Sequence, residues 1–319
     1  MGVKNVLTSC LASSGNTGFG QCFTDIGMPR GVLFVPKGAV YSTSDIATLK
    51  AAIEAGIMAD SKTQRIYPLN NVIDVKDNTE APVIQTFNTG AKSVVRNGFY
   101  DLTLQWENGG FCVLYALLKS QGQNSPFLIY TDKGLLIGTD AGTADIPEQM
   151  KGINPNLVYV NMFKFSDGTK VTEYSVTLNF EPTQINQGIA FVDFNQDGGL
   201  SYLSGLSGLQ NVTLKQLAAP TSTVIKIGAL TACGSVNLHD VFASELAKPA
   251  AWIVKNAANG GAITVSAVAD DTADGGWSLT LTSATGLTVN VSLAGPTELA
   301  GLTPPVAGYE SNVLSQIIP

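Results

Sequence analysis

Charge is what this sequence has least of. Only 13% of its 319 residues are Asp, Glu, Lys or Arg, about half of the roughly 25% usual in a soluble domain. The cations stand singly, and the net charge is −7. A chain without a cationic face cannot neutralise phosphates, so nucleic-acid coating is excluded. There is one histidine, His239, hence one side chain that titrates naturally near neutrality, and no G-x-S-x-G elbow supplies it with a nucleophile. The four cysteines, Cys10, Cys22, Cys112 and Cys233, form no C-x-x-C pair. That spacing argues against zinc and favours free thiols over disulfides. No run approaches the roughly 18 apolar residues of a membrane span. "LTSC" (Leu7 to Cys10) fits a lipoprotein cleavage box, but the stretch before it holds one Lys and no leader-length apolar run, so we read the match as chance and expect a chain made in a cytoplasm.

Hydrophobic residues, at 45%, are enough for a proper core, and the length suits two domains. Thr, Ser, Asn, Gly and Ala take the place of charge, as on sheet surfaces and in turns. A surface of that kind is poorly protected against self-association. Strand signals dominate. In "YDLTLQWE", Tyr100, Leu102, Leu104 and Trp106 fall on one face, with Asp101, Thr103, Gln105 and Glu107 on the other. This period of two marks a sheet with one buried side.

"LVYVNMFKFSDGTKVTEYSVTLNF" reads as a hairpin turning at Asp167-Gly168. That turn would set Tyr159 opposite Val176 and Leu157 opposite Leu178, with Tyr174 and Phe180 on the same buried face. "FLIYTDKGLLIGTD" is a second hairpin, turning near Lys133-Gly134. Helices are few: "SDIATLKAAIEAG" with Ser44 as N-cap and Gly56 as stop, and the apolar "FCVLYALLKSQG" (Phe111 to Gly122). "TDAGTADIPEQMKGINPN" reads as a long polar loop. From about Ser222, short alternating strands such as "WSLTLTS" and "LTVNVSLAG" suggest an immunoglobulin-like β-sandwich. The expected fold is mainly β, a sandwich or barrel with one or two helices, followed by that sandwich. The divisions expected are 1–215 with an N-terminal arm, 222–302, and a C-terminal tail at 303–319 that packs on its own domain or on a partner.

Four places invite a chemical reading. In "FVDFNQDGGLSYL", Asp193, Asn195 and Asp197 alternate ahead of Gly198 as in a calcium loop. The twelfth position, where a bidentate Glu should close the shell, is Ser204. The stretch is therefore expected to be a turn within a sheet, with calcium as the secondary option and no other cofactor. His239 with Asp240 is expected to be structural. "SGNTGFGQC", with Gly15, Gly18 and Gly20, has no G-K-[ST] and reads as an arm, not a phosphate cradle. A glycosidase carboxylate pair drawn from distant strands stays open. No enzyme is expected.

In the order of its elements the N-terminal part resembles the tail tube proteins of tailed bacteriophages: a Gly-rich arm, the alternating "YDLTLQWE", one apolar helix, a hairpin, a long polar loop and a strong second hairpin. The C-terminal part resembles the immunoglobulin-like modules appended to phage tubes and capsids. The resemblance implies a virion protein whose partners are its own copies, in hexameric rings stacked into a tube, and other virion proteins. DNA would be passing cargo, with no membrane involved. It also implies a lumen wall that does not grip phosphate, for which Asp101, Glu107, Glu173 and Glu181 are the candidates. A capsid, decoration or connector protein and a calcium-assisted carbohydrate-binding adhesin remain alternatives.

Overall fold

The structure is a computed structural model. It describes residues 26–106, 114, 117–118, 121–143, 146, 148–166, 172–186, 188–195, 198–231 and 236–319. The four cysteines, the Gly-rich arm, the Asp167-Gly168 turn, Glu107, Asp197 and most of the helix expected at 111–122 lie outside these residues. The chain is mainly β and divides into two compact units, the first ending at Ser207 and the second running from Gly208 together with Met58–Asp60.

The first unit opens with β1 (Pro29–Phe34), β2 (Val40–Ser42), helix α1 (Ile46–Ile57) and β3 (Tyr67–Leu69). Next come β4 (Asp74–Asp77), β5 (Val83–Thr86), β6 (Lys92–Arg96) and β7 (Tyr100–Trp106). Then follow β8 (Phe127–Thr131), β9 (Leu135–Asp140), β10 (Gln149–Lys151), β11 (Pro155–Val160), β12 (Tyr174–Phe180), β13 (Ile189–Asp193) and helix α2 (Gly199–Gly205). A seven-stranded sheet runs β2-β10-β9-β8-β1-β3, with β13 also on β9; a four-stranded sheet runs β11-β12-β7-β4.

The larger sheet is buried on both faces. On one, Val32, Phe127, Ile129 and Ile137 pack against Leu104, Trp106, Val176, Leu178 and Phe180 of the smaller sheet. On the other, Leu33, Leu128, Tyr130, Leu136 and Val192 pack with Leu49, Ile53 and Ile57 of α1 and Leu203 of α2. That double burial explains why "FLIY" and "LLI" are continuous apolar runs while β7 and β12 alternate. The hairpin at Lys133-Gly134 forms as expected, with Gly134 at φ +70°.

Two local expectations need correction. The cap of α1 is Asp45 and not Ser44: the Thr48 amide and hydroxyl both donate to Asp45 Oδ2, at 2.9 and 2.7 Å, while Ser44 bonds to Ser42. The helix also runs past Gly56, because that glycine lets Ile66 approach; a Cβ there would sit 2.5 Å from the Ile66 side chain. The second correction is the register of β11 and β12. They pair as expected in sense, but Val158 lies opposite Leu178 and Val160 opposite Val176, with a bulge between Pro155 and Leu157. This one-residue slip turns Val158 and Val160 inward and leaves Leu157 and Tyr159 on the outer side.

The second unit comprises β14 (Gln210–Ala218), β15 (Val224–Thr231), β16 (Trp252–Asn256), β17 (Val265–Asp271), β18 (Gly276–Leu281), β19 (Thr288–Leu293), β20 (Tyr309–Ser311) and β21 (Leu314–Ile317). A five-stranded sheet, β17-β18-β15-β14-β20, and a three-stranded sheet, β16-β19-β21, share one core that includes Ile227, Trp277, Leu279, Val289 and Val291. The alternation read from the sequence holds in β18 and β19. An immunoglobulin-like topology is not confirmed. The division falls at Gly208, ahead of β14, instead of at 215–222. The segment 303–319 is not a separate tail, because it supplies β20, parallel to β14, and β21, antiparallel to β19. Its apolar residues explain the difference: Val306 and Ile318 are fully buried.

Two tyrosines in the helix-covered core make a prediction. Burial pushes Tyr41 and Tyr130 up to about 12, because a phenolate there would lose its water. Both are neutral, folded or unfolded, below pH 10. Above it the unfolded chain ionises first, so stability should fall between pH 10 and about 12, by up to ~1.4 kcal/mol per pH unit for each tyrosine. Urea titrations across that range should show a shallower decline for Tyr41→Phe than for the parent chain. Equal slopes would refute the assignment.

Candidate assembly surface

The four-stranded sheet turns its even-numbered β7 and β12 side chains into the core and its odd-numbered ones to the other side, where Gln105 is itself buried. The outward set is polar. Asp101 lies opposite Asn179, Thr103 opposite Thr177 and Gln105 opposite Ser175. The Thr103 and Thr177 hydroxyls are 3.1 Å apart, and Asn161 donates to Thr177 Oγ1 at 3.0 Å. Asp101 is half-buried on this face, and Glu173 is half-buried beyond the start of β12, with its backbone paired to Lys164. Glu181, one residue past the end of β12, is exposed. By strand parity these three acids share the outward side. Neither β7 nor β12 carries a Lys or Arg, and among the described residues the cations on that side are Lys76 of β4, opposite Thr103, and Lys164, opposite Glu173.

The sheet ends in β11 on one side and β4 on the other. Asn124 covers part of the β11 edge, donating to the Asn156 carbonyl at 2.9 Å and accepting from the Val158 amide at 3.3 Å. Exposed apolar side chains follow that edge along the chain, which we call the stripe: Leu157 45% and Tyr159 42% exposed on the outer side of β11, then Met162 86% and Phe165 79% past its end. At the other side, β4 and β7 do not stop together. Their ladder continues through Asn78 to Asp101 and Glu80 to Phe99 into the β5–β6 pair. At that crossing a Cβ on Gly98 would lie 1.7 Å from the Glu80 carbonyl oxygen, so only glycine permits the close approach.

The resulting ribbon exposes every residue of β5 and β6 and, with Phe87 just past β5, presents five large apolar side chains, Val83, Ile84, Phe87, Val94 and Val95. The sequence reading overlooked this ribbon. Its signal was present: "PVIQTF" and "KSVVR" are β-rich runs on either side of Asn88-Thr89-Gly90.

The Asp193 stretch is a turn. Asp193 Oδ1 accepts from the Asn195 amide at 2.9 Å, and the Asn195 side chain donates to the Lys133 carbonyl at 2.8 Å. The Phe194 amide reaches Gly134 O at 3.0 Å, so the loop clamps the β8–β9 turn before Gly198 and Gly199, at φ +94° and +51°, lead into α2. Asp193 and Asn195 are thus placed as turn-formers; Asp197, the third candidate ligand, lies outside the described residues. Among those residues no three His, Cys, Asp or Glu side chains converge as metal ligands.

His239 belongs to the second unit and is nearly buried. Its Nε2 lies 2.5 Å from Asp270 Oδ1, not from Asp240, and its ring stands edge-on to Trp277 at 5.2 Å. A hollow of about 380 Å³ beside α1 is lined by residues that include Lys37, Tyr41, Gln64 and Ile66, and no carboxylate lines it. It therefore offers no acid–base pair of the glycosidase kind. Compared with protein-family models, curated proteins and solved structures, the chain shows no match in any of the three.

Proposed function

We propose that the chain is a structural subunit of a phage virion, a tail tube protein whose copies close into stacked rings around passing DNA. One observation carries this reading. The outward face of β7 and β12 is polar, bears Asp101 and holds no cation on either strand. On the flanking strands the same face continues into Asp74 and a single cation, Lys76, on β4 and into Leu157 and Tyr159 on β11, so acids outnumber cations on it. A wall of that composition lets a polyanion slide past without capturing it, since phosphate binding scales with the cations offered. Strand edges at β4 and β11 are a hazard in a lone subunit, and ring closure removes it. The scarcity of charge over the whole chain supports the same reading, as does the resemblance, read from the sequence, of its element order to that of tail tube proteins.

The test is negative-stain microscopy with sedimentation velocity over a range of protein concentrations. Rings or tubes, growing in number with concentration and unchanged by calcium, are expected. A particle that remains a single chain at high concentration overturns the assembly reading. Calcium-dependent binding to a polysaccharide panel would favour the adhesin in its place.

A further inference from the structure

We propose that the β5–β6 ribbon is a docking arm that packs against the apolar stripe Leu157, Tyr159, Met162 and Phe165 of a second copy of this chain. The inference rests on the assembly reading above and names the surfaces through which it works.

The first argument is exposure. A two-stranded ribbon is marginal in water, and this one buries none of its strand residues. Its pairing sets Ile84 opposite Val94 on one side of the ribbon, while Phe87 follows the parity of Gln85 and faces the other side. Apolar groups on both sides suit insertion against a partner better than lying flat on one. From Glu80, opposite Phe99 at the end of the sheet, to Phe87 is seven residues, so the arm reaches at most roughly 23 Å beyond the sheet at about 3.3 Å per residue.

The second argument is charge. Residues 83–96 contain Lys92 and Arg96 and no acid, a formal +2. The chain as a whole is −7, so the remainder carries −7 − 2 = −9. Any second copy thus presents an acidic body to a cationic arm. Arg96 already pairs with Glu80 at 3.2 Å, which leaves Lys92, toward the tip, as the steering cation. Around the stripe in sequence and strand pairing stand Glu173, the exposed Glu181 and, between Met162 and Phe165, Lys164, a local sum of −1 − 1 + 1 = −1.

The third argument is complementarity of kind. The stripe and the arm are distinct exposed apolar surfaces of the first unit. A one-way contact between them repeats head to tail into a ring or filament, whereas a reciprocal exchange of arms closes a twofold dimer; the sedimentation of the parent chain distinguishes the two.

The experiment uses two full-length double variants, V94E/V95E in the arm and M162E/F165E in the stripe. All four positions are more than half exposed, so far-UV circular dichroism and thermal unfolding should match the parent. Each variant alone should sediment as a single chain at concentrations where the parent assembles. Mixed, they should form 1:1 dimers and nothing larger, since the stripe variant's intact arm fits the arm variant's intact stripe and the remaining surfaces are both blocked. If either variant still assembles like the parent, the arm–stripe contact is wrong while the assembly reading stands. A mixture that stays monomeric shows that arm and stripe are not each other's partners. A parent chain that never assembles overturns both readings. An arm variant that assembles normally but loses binding to duplex DNA in a gel-shift assay would make the arm a DNA contact and overturn the proposal.

Discussion

Trp277→Ala should destabilise the second unit by about 3–5 kcal/mol, the range for deleting a buried Trp. Trp277 has no exposed surface and is among the largest fully buried side chains of the chain. Its ring lies 5.7 Å from Trp252 and 5.2 Å from His239, so truncation opens a cavity among rigid rings that cannot collapse into it. The indole Nε1–H donates to the Ala243 carbonyl at 2.9 Å, and truncation leaves that carbonyl without its donor. Against a typical total of 5–15 kcal/mol, such a loss takes a large fraction of the unit's stability. Chemical denaturation followed by far-UV circular dichroism measures it. Trp277→Phe should cost visibly less, because it retains most of the ring volume and gives up the hydrogen bond. A loss below about 1 kcal/mol for the alanine variant would mean that Trp277 is not the centre of this core.

Alternation was the most legible feature of the sequence. Tyr100 to Trp106 and Tyr174 to Phe180 turn inward where period two puts them, and Trp277 to Leu281 does the same in the second unit. Continuous apolar runs, "FLIY" and "LLI", marked strands buried on both faces. Three things escaped. The Asp45 cap lost to Ser44 because both residues suit an N-cap and only geometry separates them. The segment 303–319 looked like a tail because Pro304-Pro305 reads as punctuation; that the strands beyond it complete two sheets is a long-range fact with no local sign. The β5–β6 ribbon was overlooked because its strands are short and apolar on both sides, so period two never emerges. None of its strand residues contributes to this chain's own core. At the Asp193 stretch the missing twelfth ligand pointed to a turn, and the bonds from Asn195 to Asp193 and Lys133 are those of one.

The register of β11 against β12 yields the sharpest contrast between a sequence rule and the structure. A two-residue turn at Asp167-Gly168 places Leu157 inside, opposite Leu178. The structure places Val158 there, 6% exposed, and leaves Leu157 45% exposed opposite Asn179. Val158→Asp should then set a carboxylate between the two sheets of the first unit, with Leu178 across from it and no cation to pair with among the core residues. An unpaired buried ion costs several kcal/mol even after relaxation, enough to unfold the unit or force the carboxyl to stay protonated. Leu157→Asp should change stability by less than about 1 kcal/mol, as exposed substitutions do. Urea unfolding of both variants, at concentrations too low for assembly, decides the matter by rank order alone. If Leu157→Asp proves the more damaging, the bulge between Pro155 and Leu157 is absent and the two-residue turn sets the register. The stripe beside β11 would then lose Leu157 and Tyr159 to the core, and the assembly surface would shrink to Met162 and Phe165.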